Sequence, residues 1–278
     1  MHKITSDSIK AIFLDLDGTT LDESGKISSK LEICIKKIQT LGIPIYLASG
    51  RSCESMLPTY KVLGLKTPFI AYNGAQLIDP LENKVIKQNL LNPLLVEDAL
   101  RIAKKYNNYI QFYIDKKAYY IGSKLLADEY SNKSGITPLK LNDSLNYKER
   151  CTNGMFLVSE FNCDNNPLVK ISQELKENSL WNKKGSYFFS SIGTLEFSNK
   201  GISKGNMISY LLESKKIKQE DTIAIGDGLN DREMILNAGL GIAMGNASDE
   251  LKAIADLTIG KNSEHGVSKF LNQFFGFI

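Results

Sequence analysis

A short apolar run that stops abruptly at an acidic turn occurs near each end of the chain. Ala11-Ile-Phe-Leu14 is followed directly by Asp15-Leu-Asp-Gly-Thr19, and Thr222-Ile-Ala-Ile225 by Gly226-Asp-Gly-Leu-Asn-Asp231. Such a run is typical of a buried parallel strand that ends where the polar loop begins. Because ligands bind beyond the carboxyl ends of strands in open α/β sheets, both loops are predicted to face one crevice.

Further apolar runs predict the rest of a doubly wound, Rossmann-like parallel sheet. A helix is predicted from a cap at Ser28 or Ser29 to Gly42, since apolar residues recur there at helical spacing. Strands are predicted at 43–47, 69–72 and 240–244, and a helix through Met234 and Leu236. This alternation of strands and helices predicts the α/β class, with a polar loop after each strand.

The middle of the chain follows a different pattern. Residues 110–114 and 118–121 form a predicted hairpin, and helices are predicted at 93–106 and 167–178, each beginning at a proline. We therefore predict an inserted α+β cap domain on an antiparallel sheet at 83–189, and a catalytic core formed by 1–82 and 190–278. The hairpin aromatics are not assigned: they could line a substrate pocket, but alternating aromatics in a hairpin more often fill the core of their own sheet. These residues are Phe112, Tyr113, Tyr119 and Tyr120.

Composition argues against several classes of function. The 278 residues carry 34 Lys and Arg against 31 Asp and Glu, a net charge of only +3, which does not suggest nucleic-acid binding. The cysteines form no CxxC pair and only two histidines occur, so neither a zinc site nor a disulfide framework is expected. No run approaches the roughly 20 apolar residues that span a bilayer. We expect a cytoplasmic protein without membrane or nucleic-acid partners, in which the cysteines are small hydrophobic residues.

The acidic turns predict a metal site. Asp15 and Asp17 lie two residues apart at the end of an extended segment, so both carboxylates can face one side, and Asp227 arrives from another strand. Carboxylates this close repel one another as anions, which a divalent cation or one raised pKa relieves. Oxygen ligands without nitrogen or sulfur suit Mg²⁺, which is therefore the predicted cofactor.

Hydrogen-bond donors of the kind that hold a phosphate are predicted around these carboxylates. They are Ser49, the neighbouring backbone N–H groups including that of Gly50, Asn73, Lys204 and Asn230. Structural interpretations stay open for two of them: Lys204 as a solvated lysine near the start of a helix at 203–212, and Ser49 as a helix cap. For Arg51, both a functional role and that of a surface residue stay open.

Asp15 and Asp17 also suit a two-step hydrolysis of a phosphate ester. A carboxylate nucleophile forms an acyl-phosphate, while a second acid first protonates the leaving alcohol and then activates water. Phosphoryl transfer depends mainly on positioning and charge neutralisation, which a cation, Lys204 and the backbone donors would supply.

Four ordered motifs resemble those of the haloacid dehalogenase superfamily. They are Asp15-Leu-Asp-Gly-Thr19, Ser49-Gly-Arg51, Lys204 within Gly201-Ile-Ser-Lys-Gly205, and Gly226-Asp-Gly-Leu-Asn-Asp231. Asn73-Gly-Ala75 and the large insertion between the second and third motifs resemble its Cof-like branch, which carries a type 2 cap. The resemblance implies a magnesium-dependent phosphatase that acts on a small phosphorylated metabolite through a transient aspartyl-phosphate on Asp15.

The resemblance also implies a role for each motif residue. Asp15 would be the nucleophile and Asp17 the acid/base, with the phosphate bound by Ser49, Lys204 and Asn230. Mg²⁺ would be bound by Asp15, the backbone carbonyl of Asp17 and Asp227, with Asp231 and Asn73 in supporting positions. The chain departs from the usual pattern at three positions: Ser49 replaces Thr, Thr20 replaces Leu, and His265 replaces Asp at the predicted rim of the crevice.

Two other functions stay open. A related sugar phosphomutase would return the phosphoryl group to a second position of a sugar, and the motifs do not separate it from a phosphatase. A receiver domain also phosphorylates an aspartate beside Mg²⁺, but such modules are much shorter and need no cap. The cap is predicted to choose among substrates such as sugar phosphates, pyridoxal phosphate and flavin mononucleotide. The cap would also act as a lid, with hinges near 81–84 and 190–193. The protein is expected to be a monomer or a homodimer.

Overall fold

A computed structural model describes residues 4–142, 147–158 and 166–277. Its strands, in chain order, are β1 (Ala11–Asp15), β2 (Ile45–Ala48), β3 (Phe69–Ala71), β4 (Gln76–Asp79), β5 (Lys84–Gln88), β6 (Tyr109–Ile114), β7 (Lys117–Ile121), β8 (Leu139–Lys140), β9 (Cys151–Leu157), β10 (Gly185–Ser191), β11 (Thr194–Asn199), β12 (Thr222–Gly226), β13 (Leu240–Ala243) and β14 (Leu257–Thr258). Its helices are α1 (Ser29–Thr40), α2 (Cys53–Val62), α3 (Pro93–Lys105), α4 (Lys124–Ser134), α5 (Pro167–Glu177), α6 (Ser179–Lys184), α7 (Lys204–Lys215), α8 (Arg232–Asn237), α9 (Asp249–Lys252) and α10 (Gly266–Phe274).

The first of two compact units contains an eight-stranded sheet and comprises residues 1–51, 56–87 and 203–278. The strand order is β14-β13-β12-β1-β2-β3-β4-β5. Every neighbouring pair from β14 to β3 is parallel, and β4 runs antiparallel to β3. The chain proceeds outward on one side from β1 and on the other from β12, so the topological switch point lies between these strands. The predicted doubly wound sheet is therefore confirmed.

The centre of this sheet is buried because its strands are apolar on both faces. All five residues of β1 are buried, and Phe13 stacks on Tyr46 of β2 with 5.1 Å between ring centroids. Met207 and Leu211 of α7 belong to the same hydrophobic cluster. Burial of side chains this large stabilises the fold by about 1.5–3 kcal/mol each. The carboxyl ends of β1 and β12 are thereby held side by side.

Three helices begin where the sequence predicts them. The Ser28 hydroxyl accepts a hydrogen bond from the backbone N–H of Leu31 at the start of α1. Asn92 and Asn166 cap α3 and α5 in the same way, and each is followed by a proline at the first helical position. The side-chain acceptor satisfies an otherwise unpaired N–H group, and proline lacks that group.

The second compact unit comprises residues 52–55 and 88–202 and contains a six-stranded sheet. The strand order is β10-β11-β9-β6-β7-β8, antiparallel except for the β7–β8 pair. The predicted boundary at 189/190 differs from this division because it falls inside β10. The following strand, β11, stays in the same sheet because Leu195 and Phe197 alternate into its core. The predicted start of the cap at 83 lies before β5, so the prediction placed in the cap a strand that belongs to the first sheet.

The hairpin aromatics divide between the two faces of the second sheet. Phe112 lies in the hydrophobic core against Phe197, with 5.9 Å between ring centroids, and Tyr119 packs against that core. Tyr120 instead stacks on Tyr109 on the opposite face, and the Tyr113 hydroxyl contacts that of Tyr130. Successive side chains of a strand point to opposite faces, so only alternate aromatics reach one core.

No helix in the described ranges is long and apolar enough to cross a membrane. Cys34, Cys53 and Cys151 are buried free thiols, which agrees with their predicted hydrophobic role. Cys163 and His2 lie outside the described residues.

Candidate active site

The acidic turns after β1 and β12 meet at the switch point of the sheet. Asp15 is the last residue of β1 and is almost fully buried, and Asp227 directly follows β12. Gly18 has a φ angle of +75°, and a Cβ atom at this position would overlap the Asp227 carboxylate. A residue without a side chain is therefore required where the two turns approach each other.

Lys204 lies between two carboxylates of this cluster. Its ammonium group is completely buried and contacts Asp15 Oδ1 at 2.5 Å and Asp231 Oδ1 at 2.6 Å. Burial alone lowers the pKa of Lys204, but attraction to Asp15 and Asp231 raises it above its usual value, so the side chain is charged. Lys204 is also the first residue of α7, where the helix dipole disfavours a cation. Because Lys204 is completely buried, the solvated-lysine interpretation is wrong. Helix stability does not explain a lysine at the start of α7 either, since a cation is unfavourable there.

The carboxylates hold more negative charge than Lys204 compensates. Burial, followed by repulsion from Asp231, raises the pKa of Asp15 well above its usual value, although Lys204 opposes the shift. The same two causes raise the pKa of Asp227 to about 6. Oxygen atoms of Asp15, Asp227 and Asp231 lie within 4.8 Å of one another. A cluster of hard oxygen ligands with uncompensated charge fits Mg²⁺.

Asp231 differs from the other two acids because it accepts from two backbone N–H groups of its own turn as well as from Lys204. Oδ1 accepts from Lys204, and Oδ2 accepts from the backbone N–H groups of Asp227 at 3.1 Å and Gly228 at 3.0 Å. These bonds fix the turn that carries Asp227. The arrangement favours a supporting role for Asp231, with Asp15 and Asp227 as the residues that would hold the metal.

Asp17 occupies a different environment from Asp15. Its side chain is 55% exposed and forms a bidentate ion pair with Arg51, whose Nε lies 2.9 Å from Oδ2 and Nη2 2.6 Å from Oδ1. The Asp17 carboxylate is thus paired with a partly exposed arginine, whereas that of Asp15 is buried beside Lys204. Arg51 has no role assigned from the sequence, and the only signal for it is its place in Ser49-Gly-Arg51.

The predicted phosphate-binding residues come together from the loops after β2, β3 and β12. Asn73 Oδ1 accepts from Asn230 Nδ2 at 2.8 Å, and a Cβ atom on Gly50 would lie 3.0 Å from the Asn73 amide. The Ser49 hydroxyl accepts from the Arg51 N–H at 3.1 Å, which leaves its own proton for donation. Ser49 is not a helix cap, since α2 begins only at Cys53. Its backbone N–H donates to Ile70, so that group belongs to the sheet.

Three further polar side chains fix the two acidic turns. Thr20 Oγ1 donates to the Asp15 carbonyl at 2.6 Å, so the departure from Leu at this position adds a hydrogen bond. Thr19 Oγ1 lies 3.3 Å from Asp227 Oδ1, and Asn246 Nδ2 lies 3.2 Å from Oδ2. Asn246 follows β13, and only its place after a predicted strand could have indicated it. His265 precedes α10 and lines a cavity of about 290 Å³ together with Thr19 and Thr20.

Comparison with known sequences gives matches along almost the whole chain. A family profile described as haloacid dehalogenase-like hydrolase matches residues 12–271. Phosphatase YwpJ of Bacillus subtilis (strain 168) is 28% identical over 298 residues, covering 95% of this chain and 99% of the relative. The 5-amino-6-(5-phospho-D-ribitylamino)uracil phosphatase YitU of the same organism is 28% identical over 273 residues, with 95% and 97% covered. Pyridoxal phosphate phosphatase YbhA of Escherichia coli (strain K12) is 25% identical over 271 residues, with 94% and 97% covered.

Solved structures give the same result for the fold. A haloacid dehalogenase-like hydrolase from Bacteroides thetaiotaomicron superposes with a TM-score of 0.85 at 28% identity, covering 96% of this chain and 100% of the other. A subclass IIB sugar phosphatase superposes with a TM-score of 0.80 at 21% identity, covering 97% and 100%, and shows the likeness of fold alone. The resemblance inferred from the four motifs is confirmed, and the chain belongs to the haloacid dehalogenase-like hydrolases.

Proposed function

We propose that this phosphatase hydrolyses a small phosphorylated metabolite, such as a sugar phosphate, pyridoxal phosphate or a flavin mononucleotide-like ester, through an aspartyl-phosphate on Asp15 with bound Mg²⁺. Relatives that match nearly their whole lengths are named phosphatases, which supports the reaction class. The buried contact between Asp15 and Lys204 is the observation that carries the mechanism. A lysine in this position keeps one oxygen of the nucleophile fixed and balances part of the charge that arrives with a phosphate.

The proposed reaction has two displacements at phosphorus. The Asp15 carboxylate attacks the phosphoryl group, the bond to the leaving oxygen breaks, and Asp17 donates a proton to that oxygen. Asp17 then removes a proton from water, which attacks the aspartyl-phosphate, releases inorganic phosphate and restores the Asp15 carboxylate. Ser49, Gly50, Asn230 and Lys204 are proposed to bind the phosphoryl oxygens, with Asn73 orienting Asn230. Mg²⁺, when bound, would neutralise negative charge on the phosphate.

A screen of phosphorylated metabolites with Mg²⁺ tests this proposal. Two of the relatives are named as phosphatases of 5-amino-6-(5-phospho-D-ribitylamino)uracil and of pyridoxal phosphate, so both chemistries belong in the panel with sugar monophosphates. Hydrolysis predicts one inorganic phosphate for each ester consumed. Formation of an isomeric sugar phosphate without release of inorganic phosphate would identify a phosphomutase instead.

Replacement of Asp17 by asparagine is expected to lower kcat by roughly 10²–10⁴, because the amide cannot transfer a proton to the leaving group. Steady-state kinetics on an alkyl phosphate and on p-nitrophenyl phosphate measure the effect. Nitrophenolate leaves without protonation, so the loss in its first step is expected to be smaller. An increase in KM at unchanged kcat for both substrates would make Asp17 a binding residue.

Mg²⁺ is expected to restore activity after chelation, whereas Ca²⁺ restores it poorly because Ca²⁺ prefers longer and looser coordination.

The pKa of Asp227, about 6, lies above that of an unfolded aspartate. The metal-free protein therefore loses stability as the pH rises from the pKa of an unfolded aspartate to about 6. Below about pH 6, protons compete with the metal for the Asp227 carboxylate. Thermal unfolding should show a larger Mg²⁺-induced rise in Tm at about pH 7.5 than at about pH 5. An equal rise at both pH values would contradict the site.

A further inference from the structure

Asn246, in the loop after β13, joins three loops at the edge of the sheet. Its Nδ2 donates to the Gly18 carbonyl at 2.8 Å and lies 3.2 Å from Asp227 Oδ2. Its Oδ1 accepts from the backbone N–H of Asn262 at 3.0 Å. The reversed amide would place an oxygen against two acceptor oxygens, so these partners determine a single orientation of the side chain.

The Asp227 carboxylate is held from several sides by these groups. Thr19 Oγ1 lies near Oδ1, Asn246 Nδ2 near Oδ2, and the backbone of Gly18 packs against the carboxylate. Hydrogen bonds from neighbours orient a carboxylate ligand and contribute to metal affinity. Asn246 also binds the carbonyl of Gly18, the residue after Asp17, so one amide restrains both acidic turns.

The loop that carries Asn246 is itself fixed from the β14 side. The Gly245 N–H donates to the Gly260 carbonyl at 3.3 Å, and Ile259 donates to Ala243 at 3.0 Å. Asn262 Nδ2 donates to the Leu21 carbonyl at 3.1 Å. The side chain of Asn246 is exposed to solvent, but the loop that carries it is held by these hydrogen bonds. A fixed loop suits a residue that positions another group.

We propose that Asn246 is a positioning residue for the metal ligand Asp227, and that its amide sets the affinity of the site for Mg²⁺ without contacting the ion. The inference rests on the proposed function, because Asp227 is a ligand only if the acidic cluster binds a divalent cation. Loss of a supporting hydrogen bond typically lowers metal affinity or activity by about 10–100-fold. The effect should fall on Mg²⁺ affinity more than on kcat at saturating Mg²⁺.

Isothermal titration calorimetry with Mg²⁺ on the metal-free protein tests the proposal. Asn246→Ala should raise the Kd for Mg²⁺ by about 10-fold or more. Asn262→Ala is the matched control, because it removes an amide from the adjoining loop but keeps the backbone N–H that binds Asn246. Its Kd should stay within about threefold of the wild-type value. Asn246→Ser, whose shorter side chain does not reach Asp227, should behave like Asn246→Ala and serves if the alanine variant does not fold.

The possible results separate the positioning role of Asn246 from the existence of the metal site itself. If Asp227→Asn weakens Mg²⁺ binding but the folded Asn246 variants bind it as tightly as wild type, the positioning role is overturned and the proposed function stands. An equal loss in Asn262→Ala would show that loop integrity matters and not the amide. If wild type binds no Mg²⁺, or Asp227→Asn binds it normally, the metal site fails and the inference fails with it.

Discussion

Replacement of Asp15 by asparagine is expected to abolish turnover, with a loss of roughly 10⁴–10⁶ in kcat, while the protein stays folded. The amide keeps the shape of the side chain but cannot attack phosphorus, and removal of a nucleophile typically has an effect of this size. The amide oxygen can still accept from Lys204. Since burial and, after it, repulsion from Asp231 raise the pKa of Asp15, a neutral side chain here should not lower the stability of the metal-free protein.

Phosphate release and circular dichroism measure these two outcomes. Asp249→Asn is a suitable control because its carboxylate is fully exposed at the start of α9. It should retain wild-type kinetics. A folded Asp15→Asn variant with full activity would rule out the aspartyl-phosphate on this residue.

Replacement of Lys204 by methionine is expected to lower the free energy of unfolding by about 3–5 kcal/mol and to remove activity. Methionine has a similar length but leaves the buried carboxylates of Asp15 and Asp231 without their cation, which is the costly way to break a buried ion pair. Lys204 lowers the pKa of Asp15, so without that cation the Asp15 carboxyl group should bind its proton more tightly in the folded protein. The variant should therefore lose stability relative to wild type as pH rises and recover part of it in acid.

Urea denaturation at about pH 5 and about pH 8 checks this expectation. Lys215→Met, an exposed change in the last turn of the same helix, should stay within about 0.5 kcal/mol of wild type. If Lys204→Met unfolds at the wild-type urea concentration at both pH values, the buried network does not contribute to stability as described.

The fold of the first unit was predictable because its signals are local. The apolar run of β1 ends at Asp15, and the sequence shows this without any knowledge of a partner strand. Asn92-Pro93 and Asn166-Pro167 likewise contain both the cap and the first helical residue. The residue at which the chain leaves the second sheet and returns to the first unit was harder to predict. Alternation of Leu195 and Phe197 was the signal for β11, but the predicted cap ended at 189, inside β10.

The candidate site was predictable in its residue types and less so in its pairings. The motifs contain Asp15, Lys204 and Asp231, but only the folded chain shows that one ammonium group lies between two carboxylates. The same is true of Arg51 and Asp17, since a surface arginine and a functional one look alike in sequence. Asn246 was not predicted as a site residue, because its partners Gly18 and Asp227 belong to other loops.

The pairing of β1 with β12 has a consequence for how the chain must be made. Ala11 to Leu14 lie beside Thr222 to Ile225, so one edge of the first strand has no partner until most of the protein has been translated. At about 5–20 residues per second, a ribosome needs roughly 10–40 s to supply it. During that interval an apolar strand edge is open to other chains, a recognised route to aggregation. Synthesis of this enzyme thus includes a period in which chaperones would have an edge to protect.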